Sequence, residues 1–213
     1  MHNLKIHGII FKMKKYCEVY NYDNPTLGKL NMLIVGQIGD SVAAKKTLLS
    51  KLVITKNIDT QEKLKEQIEQ IKNKGLDKMS MPDFAEALFS NSDTPELVSL
   101  NNIAVNPLLK KSNNGSGNKL GLDAMQGVIQ AIAKHGYTYL GGDARKNAIP
   151  FYQALGFELD QQELEFVTND ADNFFAPNHV RFKTSITNPK LVTDKFKLNP
   201  QFTDLATEII NNK

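Results

Sequence analysis

The stretch from residue 97 to residue 157 constrains the fold most, because it places strand and helix signals in an unbroken alternating order. A β-rich run over Leu97–Val105 is ended by Pro107, and an apolar stripe at helical spacing follows over 118–135. Gly136 is a typical residue to stop such a helix. The order predicts an α/β fold, with the helix packed against strands on either side of it in the sequence.

The rest of this stretch predicts a second strand and a second helix. Residues 137–140 are the strand candidate, and the sequence Gly141-Gly142-Asp143 predicts a turn. The second helix is expected to begin near Asn147 and to end at Leu155-Gly156.

A loop with little side-chain bulk joins the first strand to the first helix. Lys110 and Lys111 are followed by residues 112–117, which are Ser, Asn and Gly alone. Such a loop exposes main-chain N–H groups, and the helix behind it adds the positive end of its dipole. The combination predicts a site for a phosphate or pyrophosphate group.

These motifs resemble the core of the GNAT superfamily of N-acetyltransferases. The matching pieces are Ile103–Pro107, the glycine-rich turn into a long helix, and Asn147-Ala148-x-x-Phe151-Tyr152-x-x-Leu155-Gly156-Phe157. The last of these patterns is the specific one. The resemblance covers the middle third of the chain and a weaker β-rich tail, and it implies a mixed, mostly antiparallel sheet flanked by helices.

The resemblance also implies acetyl-CoA as cofactor and a primary amine as acceptor, with direct attack in a ternary complex. In that family the pantetheine arm lies along the first strand, and loop amides hold the pyrophosphate. Carried over to this chain, the cofactor-binding residues are Ile103, Ala104, Val105, Lys111, Gly115, Ser116, Gly117, Asn118, Lys119, Leu120, Gly121, Asn147 and Tyr152. The expected catalytic groups are the Tyr152 hydroxyl, as acid for the leaving thiolate, and the Val105 N–H, as oxyanion donor.

The loop departs from the family pattern in one respect. Ser112 stands where a basic residue or Gln is usual if Gly115 and Gly117 are the two loop glycines. Counting back from Gly136 instead places those glycines at Asn118 and Leu120. The loop is therefore about three residues longer than usual, and both registers stay open.

Two of the site residues also have an ordinary structural interpretation. Tyr152 forms an apolar stripe with Ile149 and Leu155, which predicts a core position. Asn147 fits the N-cap of the second helix, a role that is compatible with cofactor contact. No general base stands out, although the carboxylates of Glu96 and Asp143 and the imidazole of His135 are candidates, and no metal-ligand set is present.

Composition limits the setting and the partners. The chain has 213 residues, a net charge of +3 and the single cysteine Cys17, and its lysines are interleaved with acids. These features predict one domain over 1–213, with no nucleic-acid partner and no internal disulfide. No apolar segment is long enough to span a bilayer or to form a signal-peptide core, so we expect no membrane association and a cytoplasmic location.

The N-terminal half predicts a hairpin followed by helices. Strand signals lie over 4–13, 16–22 and 30–38, with a turn at 23–28. Residues 40–92 then predict three helices, over 40–54, 59–75 and 80–92, which we interpret as a helical insertion before the cofactor strand.

The C-terminal part predicts two strands, over 163–168 and 180–186, and a helix over 200–211. In the second strand Val180, Phe182, Thr184 and Ile186 are expected on one face.

Two other functions remain open from the sequence. A dinucleotide-binding protein is suggested by Gly115-x-Gly117-x-x-x-Gly121, but the loop before it is too long for that fingerprint and only 70 residues follow Asp143. A non-catalytic module that keeps the fold for binding a partner is the second alternative.

Overall fold

The computed structural model describes residues 2–6, 9–40, 45–73, 97–100, 103–105, 109, 119–169 and 178–212. Its strands are β1 His2–Ile6, β2 Ile9–Asn24, β3 Gly28–Asp40, β4 Lys45–Lys56, β5 Leu97–Leu100, β6 Ile103–Val105, β7 Tyr139–Arg145, β8 Glu158–Leu159, β9 His179–Ser185 and β10 Lys197–Leu198. Its helices are α1 Gln61–Asn73, α2 Leu120–Lys134, α3 Ile149–Ala154, α4 Gln161–Asn169 and α5 Pro200–Asn211. A 3₁₀ turn, Lys146–Ala148, precedes α3.

All ten described strands belong to one mixed sheet. Its order is β1-β2-β3-β4-β5-β7-β9-β8, with β6 also paired to β4 and β10 to β2. Only β4/β5, β4/β6 and β5/β7 are parallel among these pairs, and every other pair is antiparallel. The predicted mixed, mostly antiparallel sheet flanked by helices is therefore confirmed.

The predicted N-terminal hairpin is formed by β2 and β3. Asn24 Oδ1 accepts hydrogen bonds from the amides of Thr26 and Leu27, at 3.0 Å each. Gly28 closes the turn at φ +73°, a conformation that glycine adopts without strain. The turn residues thus fix the register that runs along both long strands.

The two faces of the sheet carry two separate cores. On one face α2 packs over the sheet together with α3, and the cluster includes Tyr20, Met32, Ile54, Met125, Ile129, Tyr152 and Phe182. On the other face α1 and α5 cover β2, β3 and β4, and the cluster includes Cys17, Val19, Leu33, Val53, Leu64, Ile68, Phe202 and Ile210. Because β2, β3 and β4 are covered on both faces, apolar residues follow one another directly along them.

Three of the predicted helices and one strand are confirmed with small shifts of boundary. Helix α2 ends as predicted, because Gly136 has φ +78° and the amide of Tyr137 reaches back to the carbonyl of Ile132. Helices α1 and α5 occupy the segments predicted for them, and β9 alternates buried and exposed residues from His179 to Ser185.

The helix predicted over 40–54 is wrong, since residues 45–56 form strand β4 at the centre of the sheet. The leucines at helical spacing misled the prediction. Leu52, Val53 and Ile54 are consecutive and all buried, a pattern typical of a strand covered on both faces. The segment after β4 is therefore a crossover, containing α1, that leads to the parallel strand β5. The helix predicted over 80–92 lies outside the described residues.

The strand predicted over 163–168 is also wrong, because this segment is helix α4. Asp160 caps it: its Oδ1 accepts from the amide of Glu163 at 3.1 Å, and its carbonyl accepts from that of Leu164. Leu164 is half-buried and Val167 is buried, whereas Glu165 and Phe166 between them are exposed, which is the spacing of one helix face.

The turn predicted at Gly141-Gly142-Asp143 is wrong as well, because all three residues lie inside β7. There Gly141 and Gly142 are paired with β5 on one side and with β9 on the other. These glycines mark a close approach of the neighbouring strands, and the chain does not change direction there.

Candidate functional site

The central feature of the candidate site is a parting of two parallel strands. Strand β5 pairs with β7 from Leu97↔Tyr139 to Leu100↔Gly142. Beyond that point β6, the continuation of β5, pairs only with β4 among the described strands, while the rest of β7 pairs only with β9. In the described part of the chain, the main-chain groups of β6 that face away from β4 take part in no ladder with β7.

Gly142 lies at the point where the strands part. A Cβ atom added there would come within 2.7 Å of the Leu100 carbonyl oxygen and 2.8 Å of Phe182 Cζ. Both approaches are closer than a side chain tolerates, so only glycine fits. We call this contact between Leu100, Gly142 and Phe182 the pinch.

The N-terminus of α2 lies at the same edge of the sheet as the open ends of β6 and β7. Since β5 and β7 are parallel and α2 runs back between them, their carboxyl ends and the start of α2 meet there. Lys119 precedes α2 in the left-handed conformation, with φ 47°. The amides of Leu120, Gly121 and Leu122 form the first turn, where helix N–H groups have no partner within the helix.

A shallow concavity adjoins the end of β7. Its volume is about 500 Å³, and it is lined by Arg145, Lys146, Asn147, Asn178 and His179. The amide of Lys146 donates to the carbonyl of Asn178 at 3.1 Å, which holds the two rims together. Two formal positive charges and one imidazole make this surface suited to an anionic group.

Tyr152 is buried in an aromatic cluster behind the pinch. Its ring stacks on Phe182 with the centroids 4.2 Å apart, and it meets Phe157 edge-on at 5.2 Å. The residue is 8% exposed, and burial raises the pKa of its phenol to about 12. The phenol therefore holds its proton at neutral pH. The interpretation of Tyr152 as a core residue is confirmed, together with the burial of Ile149 and Leu155.

The motif that includes Tyr152 also ends α3. The amide of Gly156, at φ +78°, donates to the carbonyl of Gln153, and the amide of Phe157 donates to that of Tyr152. This is a Schellman cap, in which the residue after the glycine packs on the helical residue five positions earlier. The pattern from Tyr152 to Phe157 thus has a folding role of its own.

Phe151 extends the aromatic cluster to α2. Its ring packs edge-on against Tyr152 at 5.3 Å and lies 2.9 Å from the position of a Cβ on Gly121. A chain of contacts therefore runs from the first turn of α2, through Phe151 and Tyr152, to Phe182 at the pinch. Phe182 was not predicted as a site residue, although its place in the alternation of β9 indicated a buried ring.

The structure brings together part of the predicted site. Ile103, Ala104 and Val105 form β6 beside the parting, and Lys119, Leu120 and Gly121 begin α2. The remaining loop residues, Lys111, Gly115, Ser116, Gly117 and Asn118, lie outside the described residues, as does Glu96.

Asn147 does not cap α3. It lies in the 3₁₀ turn, α3 begins at Ile149 after Ala148, and among the described residues no side chain caps either element. Pro150, in the first turn of α3, has no N–H to be capped. The N-cap prediction is wrong, and the exposed Asn147 side chain lines the concavity instead.

Two of the candidate general bases are placed by the structure. Asp143 follows the pinch on β7, opposite Arg181 in the ladder. His135 lies at the C-terminal end of α2, about 20 Å along the helix from the candidate site. There its Nε2 is 2.5 Å from Glu18 Oε1, and Tyr20 donates to the other carboxylate oxygen. His135 is therefore too far from the parting to serve a reaction there.

Comparison of the chain with protein-family models, with curated proteins and with solved structures gives no match. In the part of the chain that the structure describes, no helix combines the length and the apolar character needed to cross a membrane.

Proposed function

We propose that this chain is an acetyl-CoA-dependent N-acetyltransferase of the GNAT type that acts on a primary amine. The parting of β6 from β7 beyond the pinch carries the proposal. It supplies a crevice with main-chain donors and acceptors at the carboxyl edge of two parallel strands, where α/β sheets commonly bind ligands.

The main chain of β6 suits the pantetheine arm of the cofactor. Successive peptide groups of a strand point to opposite sides, so part of the Ile103–Val105 main chain faces away from β4. Pantetheine carries two amide groups, which can pair with such a strand as a further strand would. The resemblance assigns the donors to Ala104 and Val105, and because their N–H groups point to opposite sides of the strand, one of the two faces away from β4. Asn147 stands at the rim of the adjoining concavity.

The first turn of α2 suits the diphosphate. Its three amides without a partner in the helix and the helix dipole favour an anion, and Lys119 adds a positive charge beside them. Arg145 and Lys146 in the concavity can meet a further phosphate of the same cofactor. In this proposal the glycine-rich segment 112–117 supplies additional amides.

The chemistry needs an oxyanion donor and an acid. Acetyl-CoA supplies a thioester whose carbonyl carbon is open to attack by the amine. The amide of Val105 would donate to the developing oxyanion, and the Tyr152 hydroxyl would give its proton to the departing sulfur as the C–S bond breaks. The attacking amine would release its own proton to water, and water would return a proton to the Tyr152 phenolate. The phenol is protonated at neutral pH, as this role requires, and the rise of its pKa on burial makes it a weaker acid.

The free cysteine of this chain fits a reducing compartment, and we place the proposed enzyme in the cytoplasm. Cys17 is fully buried and free of any disulfide. Burial raises the pKa of its thiol to about 12, so the thiol is protonated at neutral pH.

Calorimetric titration with acetyl-CoA tests the proposal, with NAD as the matched dinucleotide. We expect acetyl-CoA to bind with a dissociation constant on the order of micromolar and NAD not to bind. If neither ligand binds, the acetyltransferase proposal is contradicted and the non-catalytic module is the remaining alternative. If NAD alone binds, the dinucleotide-binding alternative is supported. A thiol-release assay over a panel of primary amines then identifies the acceptor.

A further inference from the structure

The outer edge of β2 is closed in three different ways along its length. Strand β1 pairs with residues 9–13, and β10 pairs with residues 20–21. Between them the edge from Lys15 to Val19 faces helix α5, and side chains of the helix satisfy the main chain of the strand. The amide of Val19 donates to the hydroxyl of Thr203 at 3.0 Å. The amide of Cys17 donates to the hydroxyl of Thr207 at 3.2 Å, and that hydroxyl donates to the Cys17 carbonyl at 3.1 Å. Asn211 Nδ2 donates to the Lys15 carbonyl at 3.2 Å.

The spacing of these contacts follows from helix and strand geometry. Thr203, Thr207 and Asn211 are four residues apart, so they rise along one side of α5 in steps of about 6.0 Å. Their partners on β2 are two residues apart, which gives steps of about 6.7 Å. Because the steps nearly match and the two elements run in opposite directions, one helix can serve three successive outward-facing positions of a strand.

Beyond these hydrogen bonds, α5 is held by one apolar face and one lysine. Phe202, Ala206 and Ile210 pack into the cluster shared with α1. Lys72, in the last turn of α1, donates from Nζ to the carbonyl of Ile209 at 2.9 Å and lies 3.4 Å from that of Asn212. A cation at this position stabilises the C-terminal end of α5.

We propose that α5 is a strap that closes the outer edge of β2 and that it opens as one unit while the rest of the sheet stays folded. Within α5 the contacts to the strand are made by side chains, and the main-chain bond at this edge, from the Asn199 amide to the Val19 carbonyl at 2.8 Å, lies at the start of the strap. Lys72 is its latch, at the end opposite to the attachment at Asn199. Opening exposes the amides of Cys17 and Val19 together, since both depend on the same helix.

Native-state hydrogen exchange on the full chain tests this proposal through the variant Lys72→Gln. The latch binds the last turn of the strap, at Ile209 and Asn212, and has no hydrogen bond to Cys17 or Val19 among the described residues. If α5 opens as one unit, the exchange of both amides speeds up by the same factor, about fivefold or more. Lys63→Gln is the matched control, because Lys63 lies on α1 and its ammonium pairs with the exposed Asp59 of the same segment, so it is expected to change neither amide.

Three results would overturn the proposal. Unchanged exchange in Lys72→Gln would show that the latch does not hold the strap. Faster exchange at Cys17 alone would show fraying from the C-terminal end. An equal increase at the central amides of Leu33 and Val53 would show global unfolding in place of a separate opening.

A second set of variants tests the hydroxyls themselves. The double substitution Thr203→Val, Thr207→Val keeps the shape of both side chains and removes both acceptors, whereas Thr203→Ser, Thr207→Ser keeps the acceptors. We expect exchange at Cys17 and Val19 to be at least tenfold faster in the valine variant than in the serine variant. Equal exchange in the two variants would contradict the role given to α5.

Discussion

The two halves of the sheet differ in how completely their strands are paired. Strands β2, β3 and β4 form long antiparallel ladders with one irregularity, at Val35/Gly36, and helices cover both of their faces. Strands β5 and β7 share four residue pairs and then part beyond Gly142. In the described residues, the first half pairs its main-chain groups along long ladders, whereas the ladder between β5 and β7 ends at Leu100↔Gly142.

The contrast also separates residues by role. Glycines and buried polar groups in the antiparallel half serve packing, as when Asp123 of α2 receives hydrogen bonds from Asn24 and Lys195. In the parting half the comparable features are Gly142, at the pinch, and Tyr152, in the aromatic cluster behind it. Substitutions in each half can test this division, beginning with the largest expected effect.

Replacing Tyr152 by Phe tests the chemical role of the parting half. If the hydroxyl gives its proton to the leaving sulfur, turnover falls by about 10²- to 10⁴-fold while the affinity for acetyl-CoA stays within about twofold. Stopped-flow thiol release and calorimetry measure the two quantities. An unchanged turnover would make Tyr152 a core residue alone, like the buried aromatic residues of the antiparallel half.

The pinch can be broken by a single methyl group. In Gly142→Ala the added carbon meets the main-chain carbonyl of Leu100, which no rotamer change relieves, so we expect a loss of about 1–3 kcal/mol in the free energy of unfolding. Gly127→Ala is the matched variant over the antiparallel half, where the contact is with the side chain of Met32. Its loss should be smaller, because alanine favours the helix by about 1 kcal/mol and Met32 is flexible.

Urea denaturation measures both glycine variants. Equal losses would mean that the contact with a main-chain carbonyl has no special cost. A neutral Gly142→Ala would contradict the assignment of the pinch.

Alkaline titration compares one buried group from each half. Burial raises the pKa of Cys17 from 9.0 to about 12 and that of Tyr152 from 10.0 to about 12. The folded chain keeps both protons where the unfolded chain releases them, so stability is complete below the unfolded pKa and falls as the pH rises toward 12. Each group contributes at most about 1.4 kcal/mol per pH unit.

Unfolding measured from about pH 8 to about pH 11.5 for the parent, Cys17→Val and Tyr152→Phe separates these contributions. The parent should lose stability relative to Cys17→Val from about pH 9. Relative to Tyr152→Phe the loss should begin about one pH unit higher. Parallel curves for all three proteins would contradict burial as the cause of the two shifts.

The smallest effect is expected at α4, on the outer side of the parting half. Asp160→Ala removes the cap of α4 and the partner of Arg181 Nη2 at 2.9 Å, and should cost about 1 kcal/mol. Gln162→Ala, at an exposed position of the same helix, is the control and should be near neutral. A loss equal to that of Gly142→Ala would show that the cap is as important as the pinch.

The sequence predicted well those elements whose signals are local. Gly136 and the stripe through Met125 and Ile129 predicted α2, and the alternation in β9 predicted its buried face. Strand β4 was missed because its described part, Leu52 to Thr55, is buried on both faces, so no alternation remained to distinguish it from a helix. The N-cap of α4 by Asp160 was present in the sequence and was overlooked.

The site was predicted less completely than the fold. The strand, the helix start and Tyr152 follow from a recognisable order of motifs. The pinch depends on a contact between Leu100, Gly142 and Phe182, which lie on three strands, and spacing along the chain carries no signal for it. Asn147 illustrates the reverse case, in which a good local capping residue does not cap because it lies inside the 3₁₀ turn that precedes α3.

The pairing of β4 has a mechanical consequence for the crevice. Leu49 lies opposite Leu100 and Leu52 lies opposite Ile103, so β4 pairs with both β5 and β6. This pairing holds the two strands in one register, and we call β4 the splint for that reason. The splint is itself fixed along its other side by β3. Any widening of the crevice is therefore expected on the side opposite β6, by a joint movement of β7, β9 and α3. The size of molecule that can enter would then depend on that movement.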